Sequence, residues 1–406
     1  MNSKFHRNIK VFLLSIFICS AVNAIGQHYE QSRDGIYKFS EQILRDLEKD
    51  SVKQYTKAAH EFSFIGDYKN ALLYGDMERE PYPTLSTEQI AYFQKFKKSM
   101  PARQYIQEKS SGEQIIIINE GHHLALHRVF AQSLLQGLYD KGFRYFGAET
   151  LDHADKELNQ RDYPVLTTGF YTSEPQYGEL IRTALAIGYE VFAYEANDDG
   201  TFRNGKEREI RQAENIKKIL QKDSQAKILV HAGYDHIRED SIGGAWGKAM
   251  AGRLHELTGI NPFTINQEIL TERSKPELDN PYLKLVNVKE PTIFVDEAGK
   301  GFAGSAGFNA FDVRVFHPKT SYIHGRPDWM FTPEKRPVLI NRKIKTTFPC
   351  LVFAYKANED MLKAIPVDVI ELKNKGEKKA LALKKGKYNI LVKDKEGKLQ
   401  NFNLKV

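Results

Sequence analysis

Ile115-Ile-Ile-Ile-Asn-Glu-Gly-His-His123 is an apolar run that stops abruptly in a carboxylate and two imidazoles. Four consecutive isoleucines, with neither helical spacing nor alternation, fit a strand buried on both faces, as in parallel sheets. Three later runs repeat the arrangement. Residues 143–148 end in Glu149, residues 190–194 end in Glu195, and residues 228–230 end in His231-Ala-Gly-Tyr-Asp-His236. Helical spacing occupies the intervals: residues 124–141 closed by Gly142, residues 179–187 closed by Gly188, and the charged stretch 207–221. A further helix over 244–258 leads to a fifth strand around 262–266. This alternation predicts an α/β fold with a mainly parallel sheet and flanking helices. Ligands of such sheets gather beyond the carboxyl ends of the strands, so neighbouring strands bring these acids and histidines to one edge.

Residues 28–112 read as a helical cap. Within it, residues 58–72 resemble one tetratricopeptide hairpin turning at Gly66-Asp67-Tyr68, and a single copy is too little for a solenoid. The α/β domain spans 113–358, with a β-rich extension from about residue 280 that holds β-like runs at 291–295, 311–316, 337–340 and 351–355. Residues 359–406 alternate apolar and polar positions around glycine turns, as expected of a small antiparallel β-module.

The chain begins with Lys4, His6, Arg7 and Lys10, an apolar stretch over 11–19, and small residues near Ala24. That order predicts a signal peptide over 1–24 and an exported protein, periplasmic or extracellular. Ile18 before Cys19 is not small, which argues against a lipoprotein. Removing the signal leaves Cys350 alone, so stability is expected from core burial rather than disulfides. No later run is long enough to span a bilayer. The formal net charge of +7 concentrates in lysines after residue 362 that interleave with acids and glycines; this reads as a solvated β-surface and not as a nucleic-acid interface.

Glu120 and His123 stand where a strand gives way to a helix, among unpaired backbone N–H groups. A histidine there can take a proton from water while a carboxylate orients it. Glu149 and Glu195 punctuate two neighbouring strands, and His231 and His236 bracket a glycine turn after another. On the helix at 207–221, Arg208, Arg211 and Asn215 recur at helical spacing and offer donors to a carbonyl or oxyanion. Tyr163, Phe170, Tyr171 and Tyr177 mark residues 161–178 as a ligand-facing lid, with Tyr171 a substrate-contact candidate beside Glu195, Arg211 and Asn215.

Together, Glu120-Gly-His-His123, Glu149, Arg208-Glu209 with Gln212-Ala-Glu-Asn215, and His231 with His236 resemble the ordered motifs of the erythromycin esterase-like proteins, within a wider superfamily that includes ChaN-type haem-binding and Tiki-type metalloprotease proteins. The resemblance covers residues 114–266. It implies hydrolysis of an ester or related acyl bond with no required cofactor, His123 activating water, Glu149 holding His123, and Arg208 polarising the carbonyl. Glu120, His231 and His236 complete the implied catalytic set. Two differences stand out: Asn119 replaces a glycine often present before the first acid, and the late histidines lie five apart where the esterases have them closer.

Two other readings remain open from sequence. A divalent metal could use His123 and His127, one helical turn apart, with Glu149. A non-catalytic binder could hold haem on His122 or Tyr234. The expected partner is a small-molecule or peptide substrate. There is no Gly-x-Ser-x-Gly elbow, phosphate loop or cysteine pair.

Overall fold

The computed structural model describes residues 33–196 and 204–406. The signal peptide expected over 1–24 lies outside these residues. Three helices, α1 (Ser40–Lys49), α2 (Tyr55–Phe64) and α3 (Tyr68–Gly75), form the cap. Gly66 takes φ 67°, in the left-handed region, to turn α2 into α3, and Asp67 caps α3 by accepting from the Asn70 amide.

Six parallel strands make the central sheet: β1 (Ile115–Glu120), β2 (Phe143–Ala148), β3 (Glu190–Ala193), β4 (Lys227–Gly233), β5 (Phe263–Asn266) and β6 (Val313–Arg314), in the order β3-β2-β4-β1-β5-β6. The period-two geometry of β1 divides its isoleucines between two cores. Ile116 and Ile118 pack with Phe130 and Leu134 of α4 (Ala125–Asp140) and Leu180 and Ile181 of α5 (Pro175–Ile187). Ile115 and Ile117 pack with Ala213 and Ile216 of α6 (Gly205–Lys222) and Met250 and Leu254 of α7 (Met250–Thr258). Helices on both faces explain why the strands read as unbroken apolar runs. Glu120 is in register with Gly233 and Ala148 with His231, so β1, β4 and β2 end level with one another.

The C-terminal sheet is antiparallel: β7 (Cys350–Lys356), β8 (Asp368–Leu372), β9 (Lys387–Asp394) and β10 (Leu399–Lys405), ordered β8-β7-β9-β10. One face packs on the cap, joining Leu351, Phe353, Tyr355 and Leu391 to Ile43, Leu47, Phe62 and Phe64. Three expectations are corrected. β7 belongs to this sheet although it precedes the boundary read at 359, because it pairs with both β8 and β9. The run at 311–316 supplies β6 of the central sheet and not part of a separate extension. The helix expected over 244–258 begins only at Met250, since Gly244 and Gly247 take positive φ ahead of it. Among the described residues no helix is long and apolar enough to cross a membrane.

Candidate functional site

The carboxyl ends of β2, β4, β1 and β3 carry a connected polar cluster centred on Glu149. Glu149 Oε2 accepts from the Gly233 amide at 2.5 Å, and Oε1 accepts from Arg208 Nη2 at 2.8 Å. The same Oε1 lies 3.5 Å from His236 Nε2 and 4.0 Å from His122 Nε2. Burial disfavours charge on Glu149, yet His236, His122, Arg208 and the Gly233 amide outweigh it and lower its pKa to about 2. Glu149 is therefore a fixed anion at neutral pH.

Each of these histidines is held from behind by another acid. His236 Nδ1 lies 2.8 Å from Glu209 Oε2, and Glu209 also accepts the Met250 amide at 2.7 Å. His122 Nδ1 lies 2.9 Å from Glu120 Oε1. Arg208 Nη1 donates to His236 Nε2 at 2.9 Å, so that nitrogen is an acceptor and the ring proton sits on Nδ1, donated to Glu209. Burial resists a further proton on His236, but Glu149 and Glu209 outweigh it and raise the pKa above 6.5.

Arg208 comes from the first turn of α6 and reaches across the strand ends. Its Nε donates to Glu195 Oε1 at 3.0 Å and its Nη2 to Glu195 Oε2 as well as to Glu149. Gln212, one turn on, donates to both Glu195 oxygens at 3.1 Å. Asn215 donates to the Tyr194 and Glu195 carbonyls and fixes the end of β3, whereas Arg211 pairs with Glu207 at 2.8 Å. Arg208, Glu195 and His122 are partly exposed, whereas Glu149, Glu209, Gln212 and His236 are buried.

Behind β1, buried Arg128 clamps Glu120 through Nε and Nη2, both at 2.7 Å, and reaches Glu174 Oε2 through Nη1 at 3.0 Å. This bidentate pair holds Glu120 ionised, far below the usual carboxylate range, despite its burial. His231 is buried against Glu120 at 3.6 Å and Tyr177 Oη at 3.1 Å, and burial lowers its pKa to about 4. Tyr171 stacks on His122 with centroids 3.9 Å apart, and His60 of the cap stands edge-on to both rings. Trp246 stacks on His236 at 5.0 Å.

The structure thus gathers Glu149, Glu195, Arg208, His231, His236, Glu120 and Tyr171, with Asn215 in support. It does not bring His123 to Glu149. The His123 ring turns toward the cap, packs on Gly75 and reaches only Tyr234 Oη at 3.4 Å; its partner position at Glu149 is taken by His122. His122 and His123 sit in the turn that follows β1, and sequence alone does not choose which of the two faces Glu149. Nor does the candidate metal set His123, His127 and Glu149 meet. His127 Nδ1 accepts from the Gly121 amide and its Nε2 lies 2.9 Å from Thr271 Oγ1, so both nitrogens are occupied. Among the described residues no group of three or more His, Cys, Asp or Glu is placed to hold a metal. Of the two haem candidates, His122 is stacked on its face by Tyr171, and Tyr234 Oη lies 3.4 Å from His123 Nδ1.

Sequence reading missed Arg128 and His60, which lie on helices, and Glu174, the N-cap of α5, all outside the strand-end pattern. It quoted Glu209 without a role, since a residue next to Arg208 on a helix points about 100° away.

No protein-family model matches the chain, and no curated protein does. Among solved structures, the type III effector HopBA1 aligns over 40% of this chain and 81% of its own at 10% identity, with a TM-score of 0.29. RRSP, a MARTX toxin effector domain from Vibrio vulnificus CMCP6, aligns over 68% and 55% at 13% identity, TM-score 0.30. Pasteurella multocida toxin, whose C-terminal region has a thiol-protease-like catalytic triad, aligns over 64% and 32% at 11% identity, TM-score 0.32. These neighbours are toxin and effector domains, and the likeness is too distant for their chemistry to bear on the cluster.

Proposed function

We propose that this protein is an exported hydrolase of the erythromycin esterase-like type, which directs water at an ester or related acyl bond. The observation that carries the reading is the Glu209–His236–Arg208–Glu149 chain at the strand ends. Glu209 fixes the His236 tautomer so that the Nε2 lone pair faces the half-exposed Arg208. A substrate carbonyl drawn to Arg208 Nη1 replaces Nε2 as the acceptor, which releases the lone pair to take a proton from water. The imidazolium so formed lies between two fixed carboxylates, Glu149 and Glu209, which stabilise its charge. Arg208 neutralises the oxyanion of the tetrahedral intermediate, and His236 returns the proton to the leaving group. His122, held by Glu120 and stacked on by Tyr171, faces the same Glu149 oxygen.

In this reading His236, rather than His123, is the base. The test is hydrolysis of a panel of 4-nitrophenyl esters and lactones by the chelated, dialysed mature protein. Turnover that falls in Arg208→Ala with folding intact supports the reading. Equal turnover by Arg208→Ala, or turnover restored only by added metal, contradicts it.

A further inference from the structure

A second polar site lies away from the strand ends, where α5 meets the C-terminal strands. A cavity of about 260 Å³ opens there, lined by Glu179, Lys335, Lys356, Lys384, Lys385 and Lys387 among others. Five lysines face one carboxylate. The floor holds two groups that folding alone leaves incomplete. Glu179 is 4% exposed and its Oε1 has no hydrogen-bond donor; the nearest cation, Arg182 Nη1, is 3.7 Å away. Lys335 is 7% exposed, and its ammonium donates to the neutral Gln176 Oε1 at 2.9 Å, which leaves further N–H donors unused. Burial lowers the Lys335 pKa even with Glu179 and Asp368 nearby. A buried ammonium and a buried, unfilled carboxylate oxygen are costly unless something completes them. At the rim Lys384 pairs with Glu334 at 2.9 Å, while Lys385 and Lys387 are exposed.

The complement of this lining is a molecule with anionic oxygens for the lysines and a hydroxyl hydrogen for Glu179. An anion with no hydrogen to donate, such as sulfate, satisfies the first requirement and is repelled by Glu179, and inorganic phosphate satisfies both without filling the volume. The volume lies just below the roughly 300–1,000 Å³ of small-molecule sites, enough for one sugar ring with its substituent. We infer that this cavity binds an acidic carbohydrate, a hexose-sized ring carrying phosphate, sulfate or carboxylate, either free or as a unit of a polysaccharide.

Calorimetric titration of the mature protein with glucose 6-phosphate, inorganic phosphate, sulfate, glucose and alginate tests it. Glucose 6-phosphate or alginate should bind in a salt-sensitive way and glucose should not; tighter alginate binding assigns the polymer as the source, and binding of glucose 6-phosphate alone assigns the free sugar. Lys385→Ala/Lys387→Ala, both changes at exposed positions, should weaken binding about tenfold. Glu179→Gln should reduce the preference for glucose 6-phosphate over sulfate. Absence of binding by both acidic probes, binding of inorganic phosphate as tight as that of glucose 6-phosphate, or undiminished binding by the double lysine variant, overturns the inference. Ester hydrolysis at the strand ends is a separate readout, so failure of either assignment leaves the other standing.

Discussion

Glu149 collects a backbone amide, a guanidinium and two imidazoles around one carboxyl group, and each contact depends on its charge. Glu149→Gln keeps the size and removes the charge, so kcat should fall roughly 10²–10³-fold while far-ultraviolet circular dichroism stays unchanged. With His236 as base, kcat/KM should rise with pH through a value above 6.5, because Glu149 and Glu209 outweigh burial in favouring its protonated form. A limb centred below 6.5 points away from His236. Stability should also fall on acidification, through other histidines. Burial lowers His60 and His317 to about 3 and His231 to about 4, from 6.5. Between those values the unfolded chain binds protons that the folded chain excludes, so the contribution of these three histidines is full above 6.5 and declines by about 1.4 kcal/mol per pH unit for each group on acidification. Glu149 adds the same sign between its ordinary 4.5 and about 2. Thermal denaturation from pH 7 to pH 4 should show Tm falling steadily; a flat profile contradicts this.

Strand ends set the site, and glycines let them close around it. A Cβ on Gly233 would collide with the His122 imidazole and crowd Glu149 Oε2 at 3.1 Å, while the backbone there is ordinary extended chain with φ −85°. Gly233→Ala should therefore lower turnover about tenfold or more by displacing His122, with a stability loss of only about 1–3 kcal/mol. Kinetics beside a melting curve separates the two effects. At this scale the sequence was most informative. Unbroken apolar runs ending in acids and histidines gave the parallel strands and the gathering of Glu149, Glu195, Arg208 and His236, because a strand buried on both faces has few other ways to be encoded. What it withheld was orientation. His122 and His123 differ by one position, and Glu209 differs from Arg208 by one helical step, so their facing depends on a turn and a helix rotation that composition does not record.

Across the whole molecule the C-terminal sheet is more than an appendage. Its inner face supplies Leu351, Phe353, Tyr355 and Leu391 to the core of the cap, and buried Arg326 pairs with buried Asp368 at 2.7 Å. Buried Arg182 of α5 likewise pairs with Glu359 at 2.7 Å. The alternating strands were legible in sequence, but their contact with residues some 300 positions earlier was not, because two amphipathic surfaces do not name their partners. Truncation after residue 349 should strip the cap of its core and leave a chain without cooperative thermal unfolding; a sharp transition in the truncated protein contradicts this coupling. The cap in turn presents His60 to the His122–Tyr171 stack, so loss of the sheet should also disturb the site.

In the proposed reaction acyl hydrolysis runs on His236 at the Glu149 cluster. The most direct measurement is kcat/KM for the best ester substrate in His236→Ala and His123→Ala, both metal-free and both checked for folding. A loss of about 10²–10⁴-fold in His236→Ala with a much smaller change in His123→Ala is the predicted result; full loss in His123→Ala with His236→Ala still active would contradict it.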